Sequence, residues 1–358
     1  MTTLQAPFPY FGGKSKIAHI VWRALGQPDH YIEPFFGSGA VLLLRPNYQP
    51  RVHVETICDK DGFVCNVWRS LQFNPNEVAK WCDWPVNHCD LSARRFALLK
   101  NESHLLENLI KDEKWFDPVM AGYWIWAASC WIGARLTVGM NINKIGGIPH
   151  LTDAGMGINK ISQIPHLTNA GKGINKIGKR PLLSGGFSGG VKVHNEKRIE
   201  TALCSNVTDP YNINIYKWFR QLSERLRYVR VVCGDWSRVC GGNWQDNLGS
   251  CGIFFDPPYS VENRSNVYHQ DSRYIAQDVA EWAIERGKKS TYRIVIAGYY
   301  EEHERLLSCG WNIKRWKANG GYSHTSKSKD SQGGKNRFKE SLFFSPYCKQ
   351  KIQTELFC

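Results

Sequence analysis

Four short apolar or β-branched segments of this sequence each end in an acidic residue. They are HYIE, ending at Glu33; VETICD, ending at Asp59; VRVVCGD, ending at Asp235; and GIFFD, ending at Asp256. Runs of this length and composition predict β-strands. Segments with helical spacing of apolar residues stand between them, which is typical of an α/β fold with a mostly parallel sheet. Such open sheets bind ligands at the carboxyl ends of their strands.

The same reasoning predicts the other elements of the fold. Helices are expected in KSKIAHIVWRAL (14–25), from near Gly39, from Val64 to Leu71, and over 215–226, 276–287 and 301–310; strands are expected over 292–299 and, as a closing pair, 311–318 and 339–346. The segment 319–338 between the closing strands is rich in Gly, Ser and Lys, which predicts a basic loop.

Residues 74–207 interrupt this alternation. They contain a tandem repeat over 142–177, in which INKIGGIPHLTDAGMG is followed by INKISQIPHLTNAGKG and by a truncated third copy. The unit is too short, and the copies too few, for a helical solenoid. We interpret the repeat as an expanded loop; the alternative is that its lysines and histidines contact phosphates. The sequence thus divides into a discontinuous α/β domain (1–73 and 208–348), an inserted region (74–207) and a tail (349–358).

Charge and composition restrict the class of protein. Of 358 residues, 42% are hydrophobic, which is typical of a globular chain, and the formal net charge is +14. A basic excess of this size favours a polyanionic partner. No run approaches the roughly 20 apolar residues of a membrane span, and no signal segment is recognised, so we expect a cytoplasmic protein. None of the 12 cysteines forms a C-x-x-C pair, so reduced thiols and no metal site are expected.

The stretch PFPYFGGKSK, residues 7–16, superficially resembles a phosphate-binding loop. That loop has the pattern G-x-x-x-x-G-K-[ST] and follows a strand. Here Phe8 stands where the first glycine should be, and too few residues precede it for a buried strand. A nucleotide triphosphatase is therefore disfavoured.

The tetrapeptide Asp256-Pro257-Pro258-Tyr259 carries the most specific chemical signal. The exocyclic amino group of adenine or cytosine is a poor nucleophile, because its lone pair is delocalised into the ring. A carboxylate from Asp256 and the carbonyl of Pro257 could accept its two protons and free that lone pair. Tyr259 offers a face on which an extruded base could stack. The pattern predicts direct transfer of a methyl group to such an amine.

The methyl donor should bind near the first two strands. Gly37-Ser38-Gly39 permits close backbone approach at a helix N-terminus, and Asp59 is placed to accept hydrogen bonds from ribose hydroxyls. Asp235 and Trp236 could meet an adenine ring. The dinucleotide fingerprint G-x-G-x-x-G is incomplete, because Leu42 stands at its last position.

Taken together, PYFGGK, EPFFGSGAV and FFDPPYS, in this order, resemble the Dam-like (alpha-group) adenine-specific DNA methyltransferases. The resemblance covers residues 7–73 and about 211–347. It implies a Rossmann-like methyltransferase sheet, S-adenosylmethionine as cofactor, double-stranded DNA as substrate, and a target-recognition domain between the second and third strands, where 74–207 lies. It also implies that Tyr10 contacts the cofactor, that Lys14 lies near both cofactor and catalytic loop, and that Glu33 faces the methionine part.

The candidate site residues form two sets. The catalytic candidates are Asp256, Pro257, Pro258 and Tyr259, and the cofactor-binding candidates are Tyr10, Phe11, Gly12, Gly13, Lys14, Glu33, Pro34, Phe35, Gly37, Ser38, Gly39, Asp59, Asp235 and Trp236. Methylation of cytosine, methylation of RNA, and DNA binding by an inactive methyltransferase scaffold remain open as alternatives. No membrane association and no obligate protein partner are expected.

Overall fold

The computed structural model describes residues 4–8, 10, 13–130, 136, 215–247, 249–258, 275–316 and 340–349, and the backbone of two further strands, 142–145 and 148–151. The chain forms two compact units. Unit 1 comprises Met1–Gln5, Tyr10–Asp61 and Tyr228–Cys358, and unit 2 comprises Ala6–Pro9 and Gly62–Arg227.

Helices and strands alternate in the N-terminal and C-terminal parts of the described chain. The strands are β1 (His30–Glu33), β2 (Val54–Asp59), β3 (Ile142–Ile145), β4 (Ile148–Leu151), β5 (Val229–Cys233), β6 (Cys251–Phe255), β7 (Tyr292–Tyr299), β8 (Asn312–Arg315) and β9 (Glu340–Phe344). The α-helices are α1 (Ala18–Leu25), α2 (Ala40–Leu43), α3 (Gly62–Phe73), α4 (Pro75–Cys82), α5 (His88–Lys111), α6 (Pro118–Cys130), α7 (Ile215–Leu226), α8 (Ser237–Cys240), α9 (Ile275–Gly287) and α10 (Tyr300–His303).

Unit 1 is built on a seven-stranded sheet in the order β5-β2-β1-β6-β7-β9-β8. Adjacent strands from β5 to β7 are parallel, whereas β9 runs antiparallel to both of its neighbours. This confirms the predicted α/β class, with a mostly parallel sheet and an antiparallel closing strand, and the arrangement is compatible with a Rossmann-like fold.

The central strands β1 and β6 are buried along their whole length, as expected of parallel strands covered on both faces. Ile253 and Phe255 of β6 pack with Ile294 and Ile296 of β7 in the main core cluster. The chain continues from β1 to β2 on one side, and later from β6 to β7 on the other. The strand order therefore reverses between β1 and β6, which is where open α/β sheets leave a crevice for ligands.

Two predicted boundaries in unit 1 differ from the structure. Strand β5 ends at Cys233 and not at Asp235, because Gly234 has a φ of +141°, which the extended strand does not accommodate. The segment predicted as one helix over 301–310 is the single turn α10 followed by a 3-10 helix, Glu304–Cys309. It ends, as predicted, at Gly310, whose φ is +80°.

Unit 2 contains more regular structure than the sequence suggested. Within 74–130 it has three helices, of which α4 and α5 begin after asparagines whose side chains accept from backbone N–H groups, Asn74 from Glu77 and Asn87 from Asp90. Helices α3 and α7, which the sequence placed with the sheet, belong to this unit. The first copy of the repeat contains the antiparallel hairpin β3–β4; residues 146–147 and 152–177 lie outside the described residues, so the interpretation of the repeat as an expanded loop stays a prediction.

In the described part of the chain, no helix has both the length and the apolar character that crossing a membrane requires.

Candidate active site

The acidic residues singled out in the sequence lie along the carboxyl edge of the sheet in unit 1. Glu33 is the last residue of β1, Asp59 is the last of β2, and Asp256 directly follows β6. Asp235 follows β5 by two residues. Because β1 and β6 are neighbours, Glu33 and Asp256 flank the point at which the strand order reverses.

Asp256 forms an ion pair with Lys14, whose Nζ lies 3.0 Å from Oδ2 of the aspartate. The lysine side chain is 5% exposed, and its carbonyl accepts from the backbone N–H groups of Ile17 and Ala18 at the start of α1. Burial raises the pKa of Asp256 to about 6, against the opposing effect of Lys14, and the charge of Glu340 adds to the rise. For Lys14, burial lowers the pKa, but Asp256 and Glu340 outweigh it, so the pKa lies above its usual value.

Glu33 is 3% exposed, and its carboxylate is held by Tyr31 of the same strand. The Tyr31 hydroxyl donates to Oε2 of Glu33 at 2.8 Å, and the backbone N–H of Leu42 also donates to this carboxylate. Burial raises the pKa of Glu33 well above its usual value, and the nearby Asp256 charge adds to the rise. The two hydrogen bonds act in the opposite direction, because they stabilise the ionised form.

A glycine turn joins β1 to α2 at this edge. Gly37 and Gly39 have φ values of +47° and +64°, in the left-handed region that favours glycine. A Cβ on Gly37 would lie 2.5 Å from Cε1 of Tyr10, and one on Gly39 would lie 2.4 Å from Cζ of Phe36. The turn therefore has no room for a larger residue at either glycine, because the rings of Tyr10 and Phe36 fill the space that a side chain would need.

Asp59 ties this turn to the neighbouring strand. Its Oδ2 accepts from the N–H of Gly37 at 2.8 Å, and its Oδ1 accepts from the N–H of Asp61 at 2.9 Å. Burial raises the pKa of Asp59 to about 7, with a contribution from the charge of Asp61, although backbone N–H donors oppose the rise. Each oxygen thus has a structural partner, and the carboxylate fixes the glycine turn to the end of β2.

Asp235 stands after a turn that is anchored to β2. The N–H of Gly234 donates to the carbonyl of Asp59 at 2.8 Å, and Oδ1 of Asp235 accepts from the N–H of Ser237 at 3.0 Å, at the start of α8. The side chain is half-buried. This arrangement leaves its second oxygen for an external donor.

Aromatic rings support the floor of the site. Trp236 contacts Phe255 edge-on, with centroids 6.0 Å apart, and Trp282 at 6.4 Å. Phe35 also packs against Phe255, with ring centroids 6.3 Å apart. The half-buried Trp236 and Phe35 belong to the shell around the main core, so they are held in place by packing.

The structure brings most of the predicted site residues to this one edge. Lys14 lies beside Asp256, and Tyr10 packs on Gly37, as stated above. Gly13 donates its N–H to the carbonyl of Tyr10. The remaining described candidates, Pro34, Ser38, Pro257 and Pro258, continue the chain from residues already placed here and are buried or half-buried. Phe11, Gly12 and Tyr259 lie outside the described residues.

Sequence reasoning missed three residues of this site. Tyr31 stands two positions before Glu33 in the same strand, and that spacing, which puts both side chains on one face, could have revealed it. Glu340 and Trp282 come from distant parts of the chain, and no local pattern indicates their position.

No protein-family model matches the chain, and a search of curated proteins finds no match to it. In the part of the chain that the structure describes, no group of three or more His, Cys, Asp or Glu side chains is arranged to hold a metal ion.

Proposed function

We propose that this protein transfers a methyl group from S-adenosylmethionine to the exocyclic amino group of adenine in double-stranded DNA, as a member of the Dam-like methyltransferases. The observation that carries the proposal is the position of Asp256. It follows a buried central strand at the reversal point of the sheet, paired with Lys14 at 3.0 Å and flanked by the buried Glu33. The inserted region, 74–207, which belongs to unit 2, is proposed to recognise the target sequence.

The residues around the reversal point fit this cofactor. A buried carboxylate, Glu33, suits the ammonium group of its amino-acid end. The glycine turn lies at this edge between Glu33 and α2, and the ring of Tyr10 covers its Gly37. Asp59 and Asp235 stand at the ends of neighbouring strands, where they would meet the ribose hydroxyls and the adenine amino group, and Trp236 provides an aromatic face. When bound, S-adenosylmethionine supplies an electrophilic methyl group attached to a positively charged sulfur.

The protein's own task is then to activate the amine. One carboxylate oxygen of Asp256 accepts one amino proton, and the carbonyl of Pro257 accepts the other, which localises the lone pair on nitrogen. The freed lone pair would then be available to the methyl group that a bound S-adenosylmethionine would supply, and its sulfur would leave as a neutral thioether. The surplus proton of the methylated amine passes to Asp256, whose pKa of about 6 leaves it mostly ionised at neutral pH.

Methylation of cytosine or of RNA would use the same geometry, so the test must identify the modified base. The chain would be expressed in a host that lacks DNA methylation, and modified bases would be mapped on the host genome and in its RNA. We expect N6-methyladenine at one short sequence. If the modified base is methylcytosine, or if methylation is confined to RNA, adenine in DNA is not the substrate and the corresponding alternative is correct.

The Asp256→Ala variant tests the assigned role of this carboxylate. We expect it to lose methyl transfer by at least about 100-fold, which is typical of removing a positioned acid–base group, while binding S-adenosylmethionine with nearly normal affinity in calorimetry. Asp278→Ala, which removes an exposed carboxylate from the first turn of α9, is the matched control and should retain activity. Full activity of Asp256→Ala would refute the mechanism.

A further inference from the structure

A row of four buried polar side chains leads through unit 1 towards the reversal point. Arg45 pairs with Glu55, with Nη1 and Oε1 3.1 Å apart. Glu55 of β2 stands opposite Tyr31 of β1 in the register of the sheet, and Tyr31 donates to Glu33. All four side chains are buried, so their interactions are only weakly screened by solvent.

Tyr31 is firmly fixed within this row. Its ring packs against that of Trp22, with centroids 4.6 Å apart, and the Trp22 indole N–H donates to the carbonyl of Val41 at 2.7 Å. The guanidinium of Arg45 lies over the same indole, 5.1 Å from its centroid. The Tyr31 hydroxyl therefore has one defined position, from which it reaches Oε2 of Glu33.

Glu33 stands at the end of the row without a compensating cation. Among the described residues, no Lys or Arg forms an ion pair with it; Lys14 is paired with Asp256, and Arg45 with Glu55. Its carboxylate accepts two hydrogen bonds, from Tyr31 and from the N–H of Leu42, out of about four that a carboxylate can accept. Burial of an uncompensated carboxylate is costly, and a cationic ligand would remove that cost.

We propose that Tyr31 is a positioning residue, which holds the Glu33 carboxylate so that its remaining acceptor positions receive the ammonium group of a cationic ligand. This inference rests on the proposed function, in which the ligand is S-adenosylmethionine and the ammonium belongs to its amino-acid end. Tyr31 itself does not touch the ligand. It acts by selecting one orientation of Glu33 and by stabilising its ionised form.

The charged groups around Glu33 determine how its pH dependence should change. Glu55 on β2 and Asp256 after β6 raise the pKa of Glu33, whereas the Tyr31 hydroxyl and the Leu42 N–H lower it. Tyr31→Phe removes one of the lowering interactions, so the pKa of Glu33 rises further. A smaller fraction is then ionised at a given pH, and ammonium binding weakens most at the lower end of the pH range.

The experiment compares two probes on four variants. The probes are S-adenosylmethionine and 5′-methylthioadenosine, which lacks the amino-acid end and therefore the ammonium. The variants are Tyr31→Phe, Glu33→Gln, the double variant, and Tyr292→Phe as matched control. Tyr292 is equally buried and donates to Asp246 at 2.6 Å, but it lies at the amino end of β7. Calorimetry between about pH 6 and about pH 9, which spans neutral pH, gives the affinities, and steady-state kinetics give kcat and KM.

We expect Tyr31→Phe to weaken S-adenosylmethionine binding about tenfold, as for one hydrogen bond to a charged group, with a larger loss at low pH. KM should rise with kcat nearly unchanged, and methylthioadenosine affinity should stay within about twofold in the same series. In the Glu33→Gln background, Tyr31→Phe should add little. Tyr292→Phe should leave both affinities unchanged.

Other results would overturn the assignment. If Tyr31→Phe weakens the binding of both probes equally, the hydroxyl has only a structural role. The same holds if Tyr31→Phe reduces S-adenosylmethionine affinity as much in the Glu33→Gln background as in the wild type. If wild-type protein methylates DNA but Tyr31→Phe binds S-adenosylmethionine normally, the positioning role fails while the proposed function stands. If the wild type binds neither probe, the proposed function fails, and this assignment fails with it.

Discussion

Lys14 and Asp256 control each other's charge at the reversal point. In its proposed role as proton acceptor Asp256 must be ionised, yet burial has raised its pKa to about 6. Lys14 is the group that opposes this rise, through its charge and its hydrogen bond. The pair therefore keeps the half-buried carboxylate mostly ionised at neutral pH, which lies just above its pKa. Acid–base groups work most effectively when their pKa is close to the pH at which they operate.

Replacing Lys14 by methionine should shift the pH dependence of methyl transfer. The burial of Asp256 persists while the opposing cation is lost, so its pKa rises and its ionised form appears only at higher pH. We expect the acid limb of the pH–rate profile to move upwards by about one to three pH units, with activity recovering in part under alkaline conditions. Lys14→Arg, which keeps the charge, should show a much smaller shift. If the acid limbs of the Lys14→Met and wild-type profiles coincide, Lys14 does not determine the charge of Asp256.

The turn between β1 and α2 acts as a structural element with its own requirements. Its carboxylate partner Asp59 fixes the N–H of Gly37, and the ring of Tyr10 occupies the space that a side chain on Gly37 would need. Positive φ, close packing and a charged hydrogen bond thus coincide at one residue. Such a turn tolerates only glycine, and a substitution there should affect both stability and ligand binding.

Gly37→Ala can be compared with Gly242→Ala to separate these effects. Gly242 also has a positive φ, +71°, but a Cβ there would meet no atom within 4 Å. Both variants should lose about 1 kcal/mol of unfolding free energy from backbone strain, and Gly37→Ala should lose more, because its Cβ meets the ring of Tyr10; denaturant titration measures both losses. Only Gly37→Ala should also weaken S-adenosylmethionine binding, by about tenfold or more, because Tyr10 must move and the bond to Asp59 is disturbed. Equal affinities in the two variants would remove the turn from the binding site.

The elements of the sheet were predictable because their signals are local. The runs ending at Glu33 and Asp256 are compositionally distinct, and glycines mark the turns that follow strands. Helix α6 escaped prediction because it is apolar on all sides, so it lacks the one-sided pattern that identifies a surface helix. The contribution of Glu340 to the site could not be predicted either. The pairing of β9 with β7 brings this residue to the edge, and that pairing depends on contacts across the whole sheet.

At the scale of the whole molecule, a basic protein presents an acidic site. Glu33, Asp59, Asp235 and Asp256 lie along one edge of the sheet, whereas the chain as a whole carries a formal net charge of +14. The edge carboxylates favour a cationic cofactor and disfavour phosphate. The proposed DNA binding would therefore depend on lysines and arginines away from the carboxyl edge, so the two proposed ligands should respond differently to ionic strength.

Salt titration separates the two binding events. Contacts between basic side chains and phosphates release counterions, so the logarithm of DNA affinity should fall linearly with the logarithm of salt concentration. For about six to ten phosphate contacts, the loss between about 50 mM and about 200 mM salt is about 10³- to 10⁵-fold. Fluorescence anisotropy with a labelled duplex would measure it. S-adenosylmethionine affinity should change far less over the same range, because Glu33 is buried and poorly screened. A DNA affinity that is insensitive to salt would contradict a surface that binds the phosphate backbone, and an equally steep loss for the cofactor would contradict its binding at the buried carboxylate.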